Sequence, residues 1–414
     1  MLDHETVTDH PTTLPEDRLP APVQTALRHR TDRSVLVDHR ALATVRARFD
    51  TEQADALTRY LEASQSPNTL RAYRTDWVAW SAWCTRENRQ ALPADPVDLA
   101  VYLALAADTR RDGTDPPRWA FSPATLDRKA AAIAAVHAAN GLPSPTRADV
   151  VRLTLRGIRR ARRARPARKR PILLHTLEAL LAERPPATWP GGVTRRRDAL
   201  LLLVGFAGAL RRSELAALTF ADIATETDPA TGEPLLIVHL GVTKTDTTAT
   251  AHHQVVLPRG ARPHTCPVCA FADWTELVET HRRGGQDAVR TLLDTPGPDD
   301  RVHRCHRFTP ATALHDLATP LLPAVNRHGG LADRPLSGRA VSELVKRYAL
   351  RAGLDPDLFG GHSLRAGFAT QAALGGAGDR EIMRQGRWSN PRTVHRYIRV
   401  ANPLDDNAVT RLGL

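Results

Sequence analysis

Long apolar runs are missing from this chain. Its most apolar stretch, Ala199-Leu200-Leu201-Leu202-Leu203-Val204, is far shorter than the roughly twenty residues a membrane-spanning helix needs. The N-terminus is acidic and contains proline without a signal-peptide core, so the sequence predicts a cytosolic protein with no membrane partner. Cysteine is scarce. Cys84, Cys266, Cys269 and Cys305 are the only four, too few for a disulfide scaffold. Cys266-Pro-Val-Cys269 has metal-ligand spacing, with His264, His303, Cys305 and His306 nearby. Cys305 and His306 are adjacent rather than spaced, so the expectation is reduced thiols and no metal. Lysine is equally scarce: of 57 basic residues, Lys129, Lys169, Lys244 and Lys346 are lysines and the other 53 are arginine. There are only five tyrosines. No internal repeat or low-complexity tract is present.

What is present is positive charge. A formal net charge of +12 and an isoelectric point near 10.3 point to a polyanionic partner, nucleic acid above all. At 414 residues, 42% of them hydrophobic, the chain can form two domains with ample cores.

Residues 1–50 mix Asp, His, Pro, Thr and Arg with few large apolar residues and read as a disordered extension, with a helix near Ala41–Phe49 at most. A helical domain is expected over 51–158. Ser66-Pro67 signals a helix start, and Tyr73, Trp77, Trp80 and Cys84 recur at helical spacing as a core face. Arg71 and Arg74 lie off that face as phosphate contacts. Pro96–Ala107 reads as a second helix. Ser122-Pro123 opens a third that Gly141 stops, with Leu126, Ile133 and Val136 inward and Arg128 and Lys129 outward for DNA. Arg147–Arg163 reads as a fourth. A basic linker over 159–171 includes Arg159, Arg160, Arg162 and Arg163. It reads either as solvated chain or as chain laid along phosphates.

A second domain, mainly helical with a small antiparallel sheet, is expected over 172–414. Helices are predicted at Leu174–Glu183, Arg195–Gly208, Ala270–Arg283, Leu336–Ala352 and Asp379–Gln385. Strands are predicted at Leu235–Leu240 and His253–Leu257, after the turn signal Asp228-Pro-Ala-Thr-Gly232. Arg339 and Lys346 are offered to DNA by their helix. The tail from Pro403 to Leu414 is amphipathic.

The chemistry concentrates in a few residues. His362-x-x-Arg365 places an imidazole and a guanidinium one turn apart on a helix. Trp388 carries an indole N–H, which can only donate. Tyr397 follows at a distance that lets a second helix return its hydroxyl. Arg211 ends a buried helix, and Glu214, three residues on, is placed to hold its guanidinium. Lys244 stands on the polar connection between the two strands. Taken alone, Tyr397 reads as a packed aromatic, Arg211 with Glu214 as an ordinary ion pair and Lys244 as a surface lysine. Their ordered combination is what argues for chemistry.

In order and spacing, Arg211, Lys244, His362, Arg365, Trp388 and Tyr397 resemble the active site of the tyrosine recombinases, the phage integrase family. The resemblance covers roughly 51–414, has no counterpart over 281–333, and places Trp388 where many members carry a second histidine. It implies a helical, SAM-like core-binding domain and a mixed α/β catalytic domain closing on duplex DNA as a C-shaped clamp. It implies that Tyr397 attacks a DNA phosphodiester to give a 3′-phosphotyrosine and a free 5′-hydroxyl, with no cofactor because the covalent bond conserves the energy of the one broken. Arg211 and Arg365 would brace the non-bridging oxygens, with Trp388 as a neutral donor. His362 would accept the phenolic proton, and Lys244 would protonate the leaving oxygen. Four protomers on two inverted-repeat sites would exchange strands through a Holliday junction, the tail docking in trans. A DNA-binding protein on the same scaffold without chemistry and a type IB topoisomerase remain open alternatives at this point, and a metal-dependent nuclease is a more distant one.

Overall fold

The computed structural model describes residues 47–48, 50–56, 67–111, 113, 119–162, 169–241, 253–295, 302–307, 318–398, 409 and 412. The chain divides into two compact units, 1–166 and 167–414.

The first unit is helical: α1 (Pro67–Arg86), α2 (Pro96–Asp108), α3 (Pro123–Ala139) and α4 (Asp149–Arg162). Two of these starts have a clear local cause. Asp95 accepts from the N–H groups of Val97 and Asp98 before Pro96 opens α2, and Ser122 does the same for Thr125 before Pro123 opens α3. Gly141, at φ +67°, ends α3 in the left-handed region that glycine tolerates best. The core gathers around Trp80, which stacks on Trp83 at 5.4 Å and meets the edge of Tyr102 at 5.2 Å. Its indole donates to the Ala91 carbonyl at 3.1 Å. Buried His137 accepts from the Ala94 N–H at 2.8 Å through Nε2, which leaves Nδ1 to donate to the Ile133 carbonyl at 2.8 Å. Burial lowers its pKa, as a neutral histidine with both nitrogens used requires.

The second unit is built on α6 (Gly191–Ala207), whose Ala199–Val204 stretch is fully inside the core. Around it lie α5 (Leu174–Ala182), α7 (Arg212–Ala217), α8 (Pro267–Asp294), α9 (Gly338–Arg351) and α10 (Gly361–Leu374), followed by α11 (Asp379–Gly386) and α12 (Pro391–Tyr397). An antiparallel sheet runs β1 (Ile223–Thr227), β2 (Pro234–Leu240), β3 (His253–Pro258), with Val238 opposite both Ile223 and Val255. A two-stranded piece pairs β4 (Pro323–Val325) with β5 (Leu331–Pro335). Arg197 and Asp198 form a buried ion pair, completed by the Pro323 carbonyl accepting from Arg197 at 3.1 Å and the Tyr348 hydroxyl donating to Asp198 at 2.7 Å. A separate small cluster, Ala369, Ile382, Trp388 and Val394, packs α10, α11 and α12 together, with Tyr397 against it.

Several boundaries differ from expectation. β1, β4 and β5 were not anticipated, because their short half-buried sequences carry little alternation. α6 starts at Gly191, four residues before the expected Arg195, and α8 runs from Pro267 to Asp294 with a break at Gly284-Gly285, where Gly285 takes φ +66°. The N-terminal extension except 47–48 and 50, together with Lys244, Arg163 and all of the C-terminal tail except Val409 and Leu412, lies outside the described residues. Among the described residues, no helix is long and apolar enough to cross a membrane.

Candidate active site

α10 carries the first two groups and separates them. Arg365 is 1% exposed, whereas His362, one turn earlier, is exposed. The two therefore do not reach outward side by side as the i, i+3 spacing suggested. The Arg365 guanidinium instead lies inside the fold, donating through Nη1 to the Ala209 carbonyl and through Nη2 to the Gly386 carbonyl, the latter at 2.5 Å. Both acceptors sit beside a strained residue. Ala209 (φ +48°) and Arg387 (φ +55°) are two of the three non-glycine residues with positive φ among those described. Each left-handed residue costs of order 1 kcal/mol or more. The strain accompanies two chain turns that bring carbonyls from distant segments onto one guanidinium.

Arg211 caps α7. Its backbone N–H donates to Glu214 Oε2 at 2.8 Å, and its Nη1 pairs with Glu214 Oε1. Glu214 also receives Arg387, Nη2 to Oε2 at 2.8 Å, and Arg387 Nη1 donates to the Gly208 carbonyl at 3.2 Å. Arg211, Arg365 and Arg387 thus crowd around a single carboxylate, leaving two positive charges uncancelled. Burial would raise the Glu214 pKa, but Arg387 and Arg211 more than reverse this and hold it below the ordinary value. Arg365 is lowered to about 10, by burial first and then by Arg211 and Arg387, and still carries its proton at neutral pH. Arg365 Nε and Arg387 Nε are buried donors with no partner among the described residues. Unspent buried donors beside excess positive charge suit an anion.

Trp388 lies over Arg365, ring centroid 4.2 Å from the guanidinium carbon, and against Tyr397 at 5.1 Å. It packs so closely on Gly386 that a Cβ there would sit 1.8 Å from a ring carbon. Tyr397 is held from two sides. Its hydroxyl is 2.9 Å from His362 Nε2, and its carbonyl accepts from the buried Thr370 hydroxyl of α10 at 3.1 Å. His395 and Asp379, 2.7 Å apart, tie α12 to α11. His362, Tyr397, Trp388 and Arg365 therefore connect in one chain of contacts, and Arg211 joins them through Glu214 and Arg387, the residue after the Gly386 carbonyl that Arg365 holds. Lys244 falls in the β2–β3 connection, outside the described residues.

Sequence reasoning passed over Arg387. It lies inside the Gly386-Arg387-Trp388 run, but one arginine among 53 carries no signal until its burial against Glu214 is seen. Thr370 was likewise invisible, since its role depends on where α12 ends.

The expected DNA contacts separate. Arg71 and Arg160 are exposed, Arg71 with a bond to Asn68 at 3.0 Å, and Arg74 is half-buried. Arg128 reaches back to Asp76 and Arg159 to Asp127, the latter at 2.7 Å. Lys129 does not face outward. It is 4% exposed, 3.4 Å from Asp76 and 3.3 Å from the Tyr102 hydroxyl. It stands three residues after Leu126 and four before Ile133, on the core stripe itself. Arg162 also folds inward, 4.3 Å over the Trp119 ring and bonded to the Phe121 carbonyl at 2.5 Å, and burial lowers its pKa. Arg339 is exposed on α9, and Lys346 is half-buried, 3.8 Å from Glu343.

The thiols are free, as expected, but three of them gather around a histidine that spacing did not single out. Adjacent Cys305 and His306 do not act as a pair, because His306 turns to Glu233 at 3.4 Å. His303 takes its place, and Cys266, Cys269, His303 and Cys305 converge with their ligating atoms all within 4.8 Å of one another.

Comparison with known proteins places the chain in a family. The profile of the phage integrase family matches residues 321–403. An integrase/recombinase xerD homolog of Selenomonas ruminantium is 31% identical over 357 residues, 86% of this chain and 88% of that protein. The recombinase cre of Escherichia phage P1 is 26% identical over 323 residues, 78% of this chain and 80% of that one. Among solved structures, XerH site-specific recombinase in a post-cleavage complex with palindromic difH substrate shares the fold, with a TM-score of 0.51 at 15% identity over 94% of each chain.

Proposed function

This chain belongs to the phage integrase family and is a site-specific tyrosine recombinase; from that premise we propose that Tyr397 is its nucleophile and that Arg211, Arg365 and Arg387 form the cradle for the attacked phosphate. The observation that carries the assignment is the Tyr397 hydroxyl 2.9 Å from His362 Nε2, on a phenol whose ring touches the indole stacked on Arg365.

The reaction follows from these positions. A phenol is a far weaker nucleophile than a phenolate, so a base within reach is needed. His362, with its proton on Nδ1, accepts the phenolic proton as the oxygen attacks phosphorus. The Tyr–O–P bond forms, the P–O5′ bond breaks, and Lys244 supplies the proton that the 5′-oxygen needs. Charge grows on the non-bridging oxygens, where guanidiniums already in place stabilise it without reorganisation. Glu214 orients two of them and keeps the cluster from repelling itself apart. Rejoining is the same sequence reversed with a different 5′-hydroxyl.

Duplex DNA with inverted-repeat sites is the partner. Four protomers on two sites pass strands through a Holliday junction, coupled by the tail from Pro403 to Leu414. The test uses a duplex nicked beside the scissile phosphate, which traps the covalent complex because the short 5′-fragment diffuses away. Wild-type protein is expected to stay attached in denaturing electrophoresis. Tyr397→Phe is expected to bind the same DNA and leave none attached. Attachment by the Phe variant would remove Tyr397 from the reaction. Trapped complexes sedimenting as monomers on one site would remove the tetramer.

A further inference from the structure

The chain has four cysteines, and three of them meet at one point. Cys266 caps the start of α8, where the turn into Pro267 brings two backbone N–H groups onto its sulfur, Gly260 at 3.3 Å and Cys269 at 3.4 Å. Such N–H···S contacts stabilise a thiolate more than a thiol. Gly260 is required for this approach, since a Cβ there would lie 2.8 Å from Cys266 Cα and 3.2 Å from its Cβ. The other two groups arrive from the 302–307 segment. His303 Nδ1 lies 3.3 Å from Cys269 Sγ and 3.7 Å from Cys305 Sγ. All three cysteines are buried and none is in a disulfide. His303 Nε2 is buried with no hydrogen-bond partner among the described residues.

Hydrogen bonding alone accounts poorly for this arrangement. Three thiols are weak donors and weak acceptors, and they crowd one imidazole nitrogen in a buried place. A tetrahedral cation with metal–sulfur bonds of about 2.3 Å separates its sulfurs by roughly 3.8 Å. That fits ligating atoms that all lie within 4.8 Å of one another. Three soft sulfurs and one imidazole favour zinc over magnesium, calcium or manganese. Four protein ligands leave no open position, the mark of a structural rather than a catalytic site.

We propose that Cys266, Cys269, His303 through Nδ1, and Cys305 bind one zinc ion that staples the first turn of α8 to the 302–307 segment. On binding, the three thiol protons leave to solvent and four metal–ligand bonds form, with no change of oxidation state. The closure spans Cys266 to Cys305 and fixes a stretch whose helix is already interrupted at Gly284-Gly285. α8 packs along α6 and against β2 and β3, so the ion would brace the helix that leads into Ala209 and Arg211. The site stands or falls independently of the role given to Tyr397.

The test is metal analysis of the full chain, purified without chelator. About one zinc per chain is expected, released when a mercurial blocks the thiols. Cobalt exchanged for zinc is expected to show the strong visible bands of a tetrahedral site together with sulfur-to-cobalt charge transfer. Cys269→Ser and His303→Ala are expected to lose at least about tenfold in zinc affinity, whereas Cys84→Ser, in the other unit, keeps both metal and bands. Should the first two variants fail to fold, the cobalt spectrum of the wild-type chain still decides. A folded wild-type chain without stoichiometric metal, a cobalt form lacking charge transfer, or a Cys266–Cys269 disulfide found by mass spectrometry would overturn the proposal.

Discussion

Glu214 is the residue on which the site's electrostatics turn. It is 8% exposed and holds Arg211 and Arg387 together. Removing one partner from a buried charge network costs more than the network contributes. Glu214→Gln is therefore expected to lower unfolding stability at neutral pH by about 3–5 kcal/mol, measured by urea denaturation. The pH dependence has a definite sign. The folded-state pKa lies below the ordinary carboxylate value, so the unfolded chain binds this proton more tightly. The stability that Glu214 provides is complete above about pH 4.5 and is lost as pH falls through the lower folded value. Wild type should lose stability through that acid range, and Glu214→Gln should lack this part of the loss. At this scale the sequence was partly legible. The spacing of Arg211 and Glu214 predicted their pairing, but Arg387 joins from 173 positions away, a distance over which no local pattern operates.

Among the elements, α10 is the one that positions most of the site, and its docking depends on Gly367. A Cβ at that residue would lie 1.9 Å from the Ile172 carbonyl oxygen and 2.8 Å from its carbon. Backbone cannot yield as a flexible side chain can, and Ile172 is itself tied to α10 by its N–H donating to the Ser363 carbonyl at 3.0 Å. Gly367→Ala is expected to cost at least the roughly 1–3 kcal/mol typical of overpacking, a fall in melting temperature of several degrees by calorimetry. Strand cleavage should fall with it, because α10 carries His362, Arg365 and Thr370. A variant with wild-type melting temperature would show that α10 shifts freely. Some helices were readable because their starts carry Pro after a capping residue, as at Asp95-Pro96 and Ser122-Pro123, and others because their apolar residues recur at 3.6. The short strands β1, β4 and β5 were not, since their pairing comes from neighbours rather than from their own composition.

On the scale of the whole molecule, the net charge of +12 makes salt dependence the measure of DNA contact, because each neutralised phosphate releases counterions. Arg160, exposed on α4, and Lys129, buried against Asp76, make opposite forecasts. Arg160→Ala should reduce the slope of log affinity against log salt by about one, with little change in stability. Lys129→Ala should leave the slope unchanged and destabilise the first unit by roughly 1–3 kcal/mol, because buried Asp76 loses one of its two cationic partners and keeps Arg128. An equal slope change in both variants would mean that Lys129 reaches phosphate after all. Composition alone determined that the chain seeks a polyanion, and local periodicity determined most of its helices. The order of Arg, Lys, His, Arg, Trp and Tyr determined the family it resembles. Tertiary structure alone decided that Lys129 and Arg162 turn inward, that Arg387 enters the cradle, and that His303 rather than His306 joins the thiols. The physical reason is common to all of these. A side chain's direction follows from its own helix or strand, but its partner is whatever the folded chain brings opposite, and that juxtaposition is set by packing between segments far apart in sequence.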